Sequence, residues 1–307
     1  MGTWKLVEKP PSVILITNKF VFAKKRDKDG NLQKYKARLV AKGCAQHPGY
    51  DFLEMHSPVV RVETIRSLLA VAAKRKLYIH QMDIKGAYLN GILKEKVYMK
   101  QPEGYDDSTG RICLLIKTLY GLKQARREWN HKFDSKMRKC GYARLQSDPC
   151  IYVWHVGKAV WVDDLLIFAT TIDLQDKARS DVAKEWEVTD LGKPQKIIGI
   201  EITRTPESIM ISSSKYIESI LRKEGHEHCN PVSTPLDSNV QLVPNPDGEI
   251  GNRSILFARL LGELQYVANV TRPDISYAVN RLVSYTANPS LQHTTAIKNM
   301  LQYLSGT

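Results

Sequence analysis

Apolar and polar residues alternate in several separate stretches of the chain, and one of them carries charge where charge is costly. Residues 159–168 run Ala-Val-Trp-Val, then Asp163-Asp164, then Leu-Leu-Ile-Phe. β-Branched and aromatic residues on both sides predict a β-hairpin with the acidic pair at or beside its turn. Residues 78–84, Tyr-Ile-His-Gln-Met-Asp-Ile, alternate as a strand that delivers Asp83 at its end, and 85–91 has the composition of a turn. Phe20–Ala23 and Leu32–Val40 flank a basic turn containing Asp29-Gly30-Asn31 and predict a second hairpin. Residues 197–202 alternate as a further strand.

Helical spacing is equally plain elsewhere. Val62, Ile65, Leu68, Leu69 and Ala72 mark an amphipathic helix that ends at Lys74-Arg75-Lys76, feeds the Asp83 strand and is expected to pack beneath its sheet. Ala125, Trp129, Phe133, Met137 and Cys140 recur mostly every four residues, with Gly141 as the C-terminal cap. Leu174, Ala178, Val182 and Trp186 share a face of a third helix, with Asp173 as its expected cap and Asp176 in a box-like position. From Lys215 onward helical patterns dominate, interrupted by a linker rich in Pro, Asn and Gly near 231–252.

An Asp-Asp pair is by itself an ordinary turn dipeptide. Asp83 changes its meaning. Adjacent aspartates repel, so one titrates high unless a cation lies beside them. Two strands that each end in carboxylate and lie side by side would hold a metal pair about 3.5–4 Å apart, suited to activating a 3′-hydroxyl and stabilising a leaving pyrophosphate.

Charge supports an anionic partner. The 307 residues carry a formal net charge of +13, with 43% hydrophobic and 25% charged residues. That length predicts two or three subdomains, and the charge points to a nucleic-acid backbone. Five scattered cysteines, none in a Cys-x-x-Cys pair, argue for a reducing intracellular setting and against structural zinc. His226, His228 and Cys229 lie close together but have no fourth ligand at finger-like spacing and are assigned to a polar loop. No membrane span or signal peptide is expected.

Residues 81–91 (Gln-Met-Asp-Ile-Lys-Gly-Ala-Tyr-Leu-Asn-Gly), 119–125 (Leu-Tyr-Gly-Leu-Lys-Gln-Ala), Val162-Asp163-Asp164 and 271–275 (Thr-Arg-Pro-Asp-Ile) occur in that order. Together they resemble the reverse transcriptase of copia-type LTR retrotransposons, along essentially the whole chain. The resemblance implies an α+β right-hand polymerase with fingers and palm over 1–210 and a thumb with the start of the connection over 211–307. The following ribonuclease H domain is absent from this stretch. It implies an RNA-directed DNA polymerase that extends a primer with dNTPs on an RNA or DNA template, using two Mg²⁺ ions, with Mn²⁺ an alternative. It also implies a larger polyprotein with integrase and ribonuclease H, working in a cytoplasmic particle or the nucleus.

The resemblance assigns the residues in turn. Asp83, Asp163 and Asp164 become the catalytic metal ligands. Lys25, Lys36 and Arg38, on the basic hairpin, become grips for the nucleotide triphosphate. Tyr88, five residues past Asp83, becomes the ring that excludes a 2′-hydroxyl. Gly121, Lys123 and Gln124 become template and nucleotide contacts, and Gly199 supports the primer end. Two departures stand out. Arg126 replaces a proline frequent in relatives, and residues 155–161 are shorter than the corresponding stretch, which predicts weak or absent activity in this copy. A catalytically inactive nucleic-acid-binding remnant is the alternative that follows from that shortening. A metal-dependent nuclease also clusters carboxylates, but Tyr88 and the basic hairpin favour polymerisation.

Overall fold

The computed structural model describes residues 2–26, 31–154, 159–162, 166–237, 239–245 and 252–307. They form two compact units, one of Met1–Arg61 with Arg75–Lys193, the other of Val62–Lys74 with Pro194–Thr307.

In the first unit, β1 (Trp4–Val7), β5 (Ile92–Met99) and β6 (Ile112–Lys117) make a three-stranded sheet. β2 (Asn18–Arg26) and β3 (Leu32–Ala41) make the basic hairpin, and its base is tied to the neighbouring elements by Ile16 N–H donating to the Tyr98 carbonyl (2.9 Å) and Ala41 N–H to the Tyr120 carbonyl (2.8 Å). A six-stranded antiparallel sheet takes the order β11 (Val188–Gly192), β4 (Tyr78–Ile84), β10 (Leu166–Ala169), β9 (Ala159–Val162), β8 (Ile151–Trp154) and β7 (Tyr142–Arg144). Helices α2 (Ala125–Lys139) and α3 (Ile172–Ala183) cover one face of it. Met82, Ile84, Tyr152 and Ile167 meet Trp129, Phe133, Ala178 and Val182 there, with Trp186 filling the gap just past α3. The four-residue spacing on both helices thus buries the predicted faces. The N-terminal cap of α3 is Thr171, whose side chain accepts from the Leu174 N–H, and not Asp173.

The second unit holds α1 (Val62–Lys74), the small sheet β12 (Lys196–Ile197), β13 (Ile200–Arg204) and β14 (Ile209–Ser212), and the helices α4 (Ser214–Lys223), α5 (Asn252–Val270), α6 (Ser276–Val283) and α7 (Leu291–Gly306). Within this unit α1 contacts α5 and β14, and Arg66 donates to the Asn269 carbonyl (3.1 Å). The continuous strand expected over 197–202 is in fact a tight hairpin, with Ile197 paired to Ile200. Ile198 and Gly199 occupy its turn at φ 46° and 85°, the combination of a type I′ turn. A β-branched residue rarely takes that conformation, so the alternation conceals the turn.

The Thr271–Ile275 motif is a clamp inside this unit. Arg272 grips Asp274 with two nitrogens (2.8–3.1 Å), stacks over the Tyr303 ring (5.5 Å) and reaches Thr307, while Tyr303 donates to the same carboxylate (2.9 Å). It joins the start of α6 to the end of α7.

Candidate active site

Asp83 lies on β4 between two buried residues, Met82 (3% exposed) and Ile84 (6%), and its own carboxylate is exposed. Alternation allows this: one face of the strand fills the core and the next residue points away. Leu166 pairs with Gln81, two residues from Asp83, and with Val162 on its other side. Val162 and Leu166, which bracket residues 163–165 in the sequence, are therefore cross-strand partners at the Asp83 end of the sheet. Asp163 and Asp164 themselves lie outside the described residues. Among the described residues no group of three His, Cys, Asp or Glu side chains is disposed to hold a metal ion. The donor that is described, an exposed carboxylate at a strand end, suits a hard divalent cation such as the family implies.

The hairpin register sorts its charges. Lys25 pairs with Lys34, Ala23 with Lys36 and Val21 with Arg38, so four cations share one face. Burial lowers the Lys36 ammonium below its ordinary range, and repulsion from Arg38, Lys25 and Lys34 adds to the shift. Attraction from Asp83 opposes the shift in part. Such a crowd of like charges favours an anion. Arg38 also sits over the Tyr120 ring (5.7 Å), and Tyr120 meets Tyr88 edge to face (5.8 Å).

Tyr88 is half-buried and packs against the cores on both of its sides. It stands in a 3₁₀ turn, Ala87–Asn90, entered through Gly86 at φ 61°, and Thr118 Oγ1 donates to its carbonyl. A cavity of about 90 Å³ opens beside it, lined by Asp83, Ser57, Arg126, Trp129 and Asn130 among others. Sequence reasoning left Ser57, Arg126 and Asn130 out of the site. Arg126 and Asn130 are one helical turn apart on α2, a spacing that shows they share a face, whereas Ser57 arrives on a loop and leaves no such signal.

The Gly121–Gln124 segment runs from an exposed glycine to a buried glutamine. Gly121, at φ 88°, lies so close to the Ala41 carbonyl oxygen that any Cβ would collide with it. Gln124 is fully buried, its amide nitrogen donating to the Asp51 carbonyl (2.7 Å) and its oxygen accepting from Gln46 (3.0 Å). Lys123 donates its N–H to Gln46 Oε1 (2.8 Å) and lies 4.7 Å over the Phe52 ring. Close backbone approach at Gly121 and the bonds of Lys123 and Gln124 to Gln46 and Asp51 together fix the loop ahead of α2. Gly199 belongs to the second unit, where the Tyr266 hydroxyl donates to the neighbouring Ile198 carbonyl.

Comparison with known proteins places this geometry. Residues 1–238 match the family model described as reverse transcriptase (RNA-dependent DNA polymerase). The chain is 40% identical to the retrovirus-related Pol polyprotein from transposon TNT 1-94 of Nicotiana tabacum, over 100% of this chain and 24% of that protein. It is 38% identical to the Pol polyprotein from transposon RE1 of Arabidopsis thaliana, over 99% and 21%. It therefore spans less than a quarter of the length of these relatives. The foamy viral protease-reverse transcriptase, solved in complex with double-stranded DNA, aligns with a TM-score of 0.45 and 13% identity over 98% of this chain and 45% of that one. The chain belongs to the reverse transcriptase (RNA-dependent DNA polymerase) family, in the form carried by copia-type Pol polyproteins.

Proposed function

We propose that this chain is the polymerase part of a retrotransposon Pol polyprotein and extends a primer with deoxynucleotides on an RNA or DNA template. The observation that carries the reading is that Lys25, Lys34, Lys36 and Arg38 share one face of the β2–β3 hairpin while Asp83 is exposed at the end of β4 between buried neighbours. Residues 1–210 then serve as fingers and palm, and 211–307 as thumb with the start of the connection. Asp83, with Asp163 and Asp164, would hold two Mg²⁺ ions, with Mn²⁺ as a substitute. When bound, they lower the pKa of the primer hydroxyl and neutralise charge on the triphosphate.

The chain's own residues do the rest. Lys25, Lys36 and Arg38 bind the triphosphate by charge-assisted hydrogen bonds. Tyr88 fills the space beside the sugar. Gly121, Lys123 and Gln124 hold the loop at the start of α2 against which template and nucleotide rest, and the Ile198-Gly199 turn supports the primer. Integrase and ribonuclease H are the companions expected in the longer polyprotein. Burial raises the Cys113 thiol to about 11. We place the reaction in a reducing setting, a cytoplasmic particle or the nucleus. No helix among the described residues is long and apolar enough to cross a membrane.

Primer extension with and without Mg²⁺ tests the reading. Asp83→Asn, Asp163→Asn and Asp164→Asn should each abolish extension while template-primer binding persists. Near wild-type turnover by any of the three would remove that residue from the site.

A further inference from the structure

We propose that Asp190 is a positioning residue for Asp83, acting through the edge strand β11; the inference rests on the reading of Asp83 as catalytic. Among the described residues the strand opposite Asp83 is β11, with Thr189 as its cross-strand partner. The pairing continues beyond the strand end, where Lys85 N–H donates to the Glu187 carbonyl (2.9 Å) and Lys85 Nζ reaches Glu187 Oε1 (2.5 Å). The position of Asp83 is therefore set in large part by the register of an edge strand.

That register contains an irregularity beside the site. Asp190 pairs with Met82 and Gly192 with Gln81, so Leu191 is an extra residue, and it is half-exposed. Gly192 takes φ 70°, as the glycine of such a bulge does. An edge strand has no second neighbour to hold a bulge in place, so a side chain must.

Asp190 supplies that hold through both carboxylate oxygens. Oδ1 accepts from the Gly192 N–H (2.8 Å) and meets His80 Nε2 of β4 (2.6 Å), and Oδ2 accepts from Arg179 of α3. Arg179 is anchored in turn on Asp176 (2.7 Å). Burial disfavours the charge, but the Gly192 N–H, His80 and Arg179 outweigh it and keep the carboxyl below its usual range. One carboxylate thus closes the bulge and ties it to both the strand that bears Asp83 and the helix behind it. If the bulge is lost, β11 slips by one residue, about 3.3 Å, and its side chains change face. A displacement of Asp83 by only ~1 Å can cost about a hundredfold in rate.

The test combines kinetics with local hydrogen exchange on the whole chain. Asp190→Ala should lower kcat about a hundredfold, with KM for dNTP and template-primer affinity within about twofold of the parent. Amides of 81–85 and 188–192 should lose exchange protection while those of α2 keep it. Asp190→Asn still accepts from Gly192 but loses its charge, and should recover most of the protection and part of the rate. An unchanged kcat in a folded Asp190→Ala protein overturns the inference, as does loss of protection throughout the unit in both variants. Asp83→Asn is run beside them: turnover in that variant would sink the catalytic reading, whatever Asp190 does. If the parent chain shows no extension, the exchange pattern alone decides whether Asp190 holds the strand.

Discussion

Tyr88 offers the sharpest test of substrate choice. Its ring meets Tyr120 edge to face at 5.8 Å and borders the cavity that Asp83 also lines. Replacement by valine removes the outer ring atoms, and a group the size of water needs only about 10–15 Å³ of accessible space. The vacated volume is therefore ample for a 2′-hydroxyl. Steric discrimination on this scale is worth about 1–3 kcal/mol, or roughly 10- to 200-fold, so Tyr88→Val should erode deoxynucleotide selectivity by about that factor. The turn should survive, because Thr118 holds the backbone carbonyl of Tyr88 and not its side chain. Loss of the aromatic pair costs about 0.5–1.5 kcal/mol of stability. Competition between dATP and ATP at a single template position measures the ratio, with Tyr88→Phe as the control that keeps the ring. Unchanged selectivity in a folded Tyr88→Val protein would return Tyr88 to a packing role.

Three further outcomes follow from the geometry. Lys25→Ala, Lys36→Ala and Arg38→Ala should each raise the apparent KM for dNTP by about 10- to 100-fold, the worth of a charge-assisted hydrogen bond, and leave template-primer affinity close to the parent; the reverse pattern would assign them to the template. His293 should make the second unit sensitive to acid. Burial lowers its pKa below 6.5, and its Nδ1 accepts from the Ser290 N–H (2.8 Å) in the capping box of α7, so the unfolded chain takes up the proton first. Stability is then complete above about pH 6.5 and falls as pH drops through that value toward the lower folded pKa; thermal unfolding at pH 5 and 7.5 reads it, and a pH-independent difference between parent and His293→Gln would refute it. Arg272→Ala should cost about 1–2 kcal/mol through loss of the paired contact with Asp274, lowering Tm by a few degrees without changing KM for dNTP, and an unchanged Tm would show that the clamp bears no load.

Most of this was legible in the sequence because burial follows period. The spacing of Trp129, Phe133 and Met137 and that of Ala178 and Val182 became the helix faces that cover the sheet. The alternation of Tyr78–Ile84 delivered an exposed Asp83 between buried neighbours. The turn at Ile198-Gly199 was hidden, since an isoleucine at φ 46° is tolerated by its surroundings and not favoured by its own chemistry. The same holds for Asp190, whose role needs a bulge and partners from β11, β4 and α3. The complete burial of Gln124 left no sign in the sequence, since it depends on bonds to residues more than 70 positions away.

The short connection before the acidic pair bears on how well this copy works, and the strand pairings set what it does. All four residues of β9 are paired on both sides, from Ala159 with Trp154 and Ala169 to Val162 with Ile151 and Leu166. Trp154 and Ala159 pair at the opposite end of β8 and β9 from Val162. Residues missing there shorten the hairpin from its far end and leave in place the pairs that flank the acidic residues. The cost is pairing length: four residues is below the usual five or six, and it removes about two rungs of ladder from the middle of the sheet. That loss makes opening of this part of the sheet easier without moving its closed form. A shortfall of this kind lowers the fraction of molecules with an assembled site and leaves the chemistry of each assembled one unchanged. If the chain is the polymerase proposed above, the weakness that the shortening predicts then belongs to a population of assembled sites.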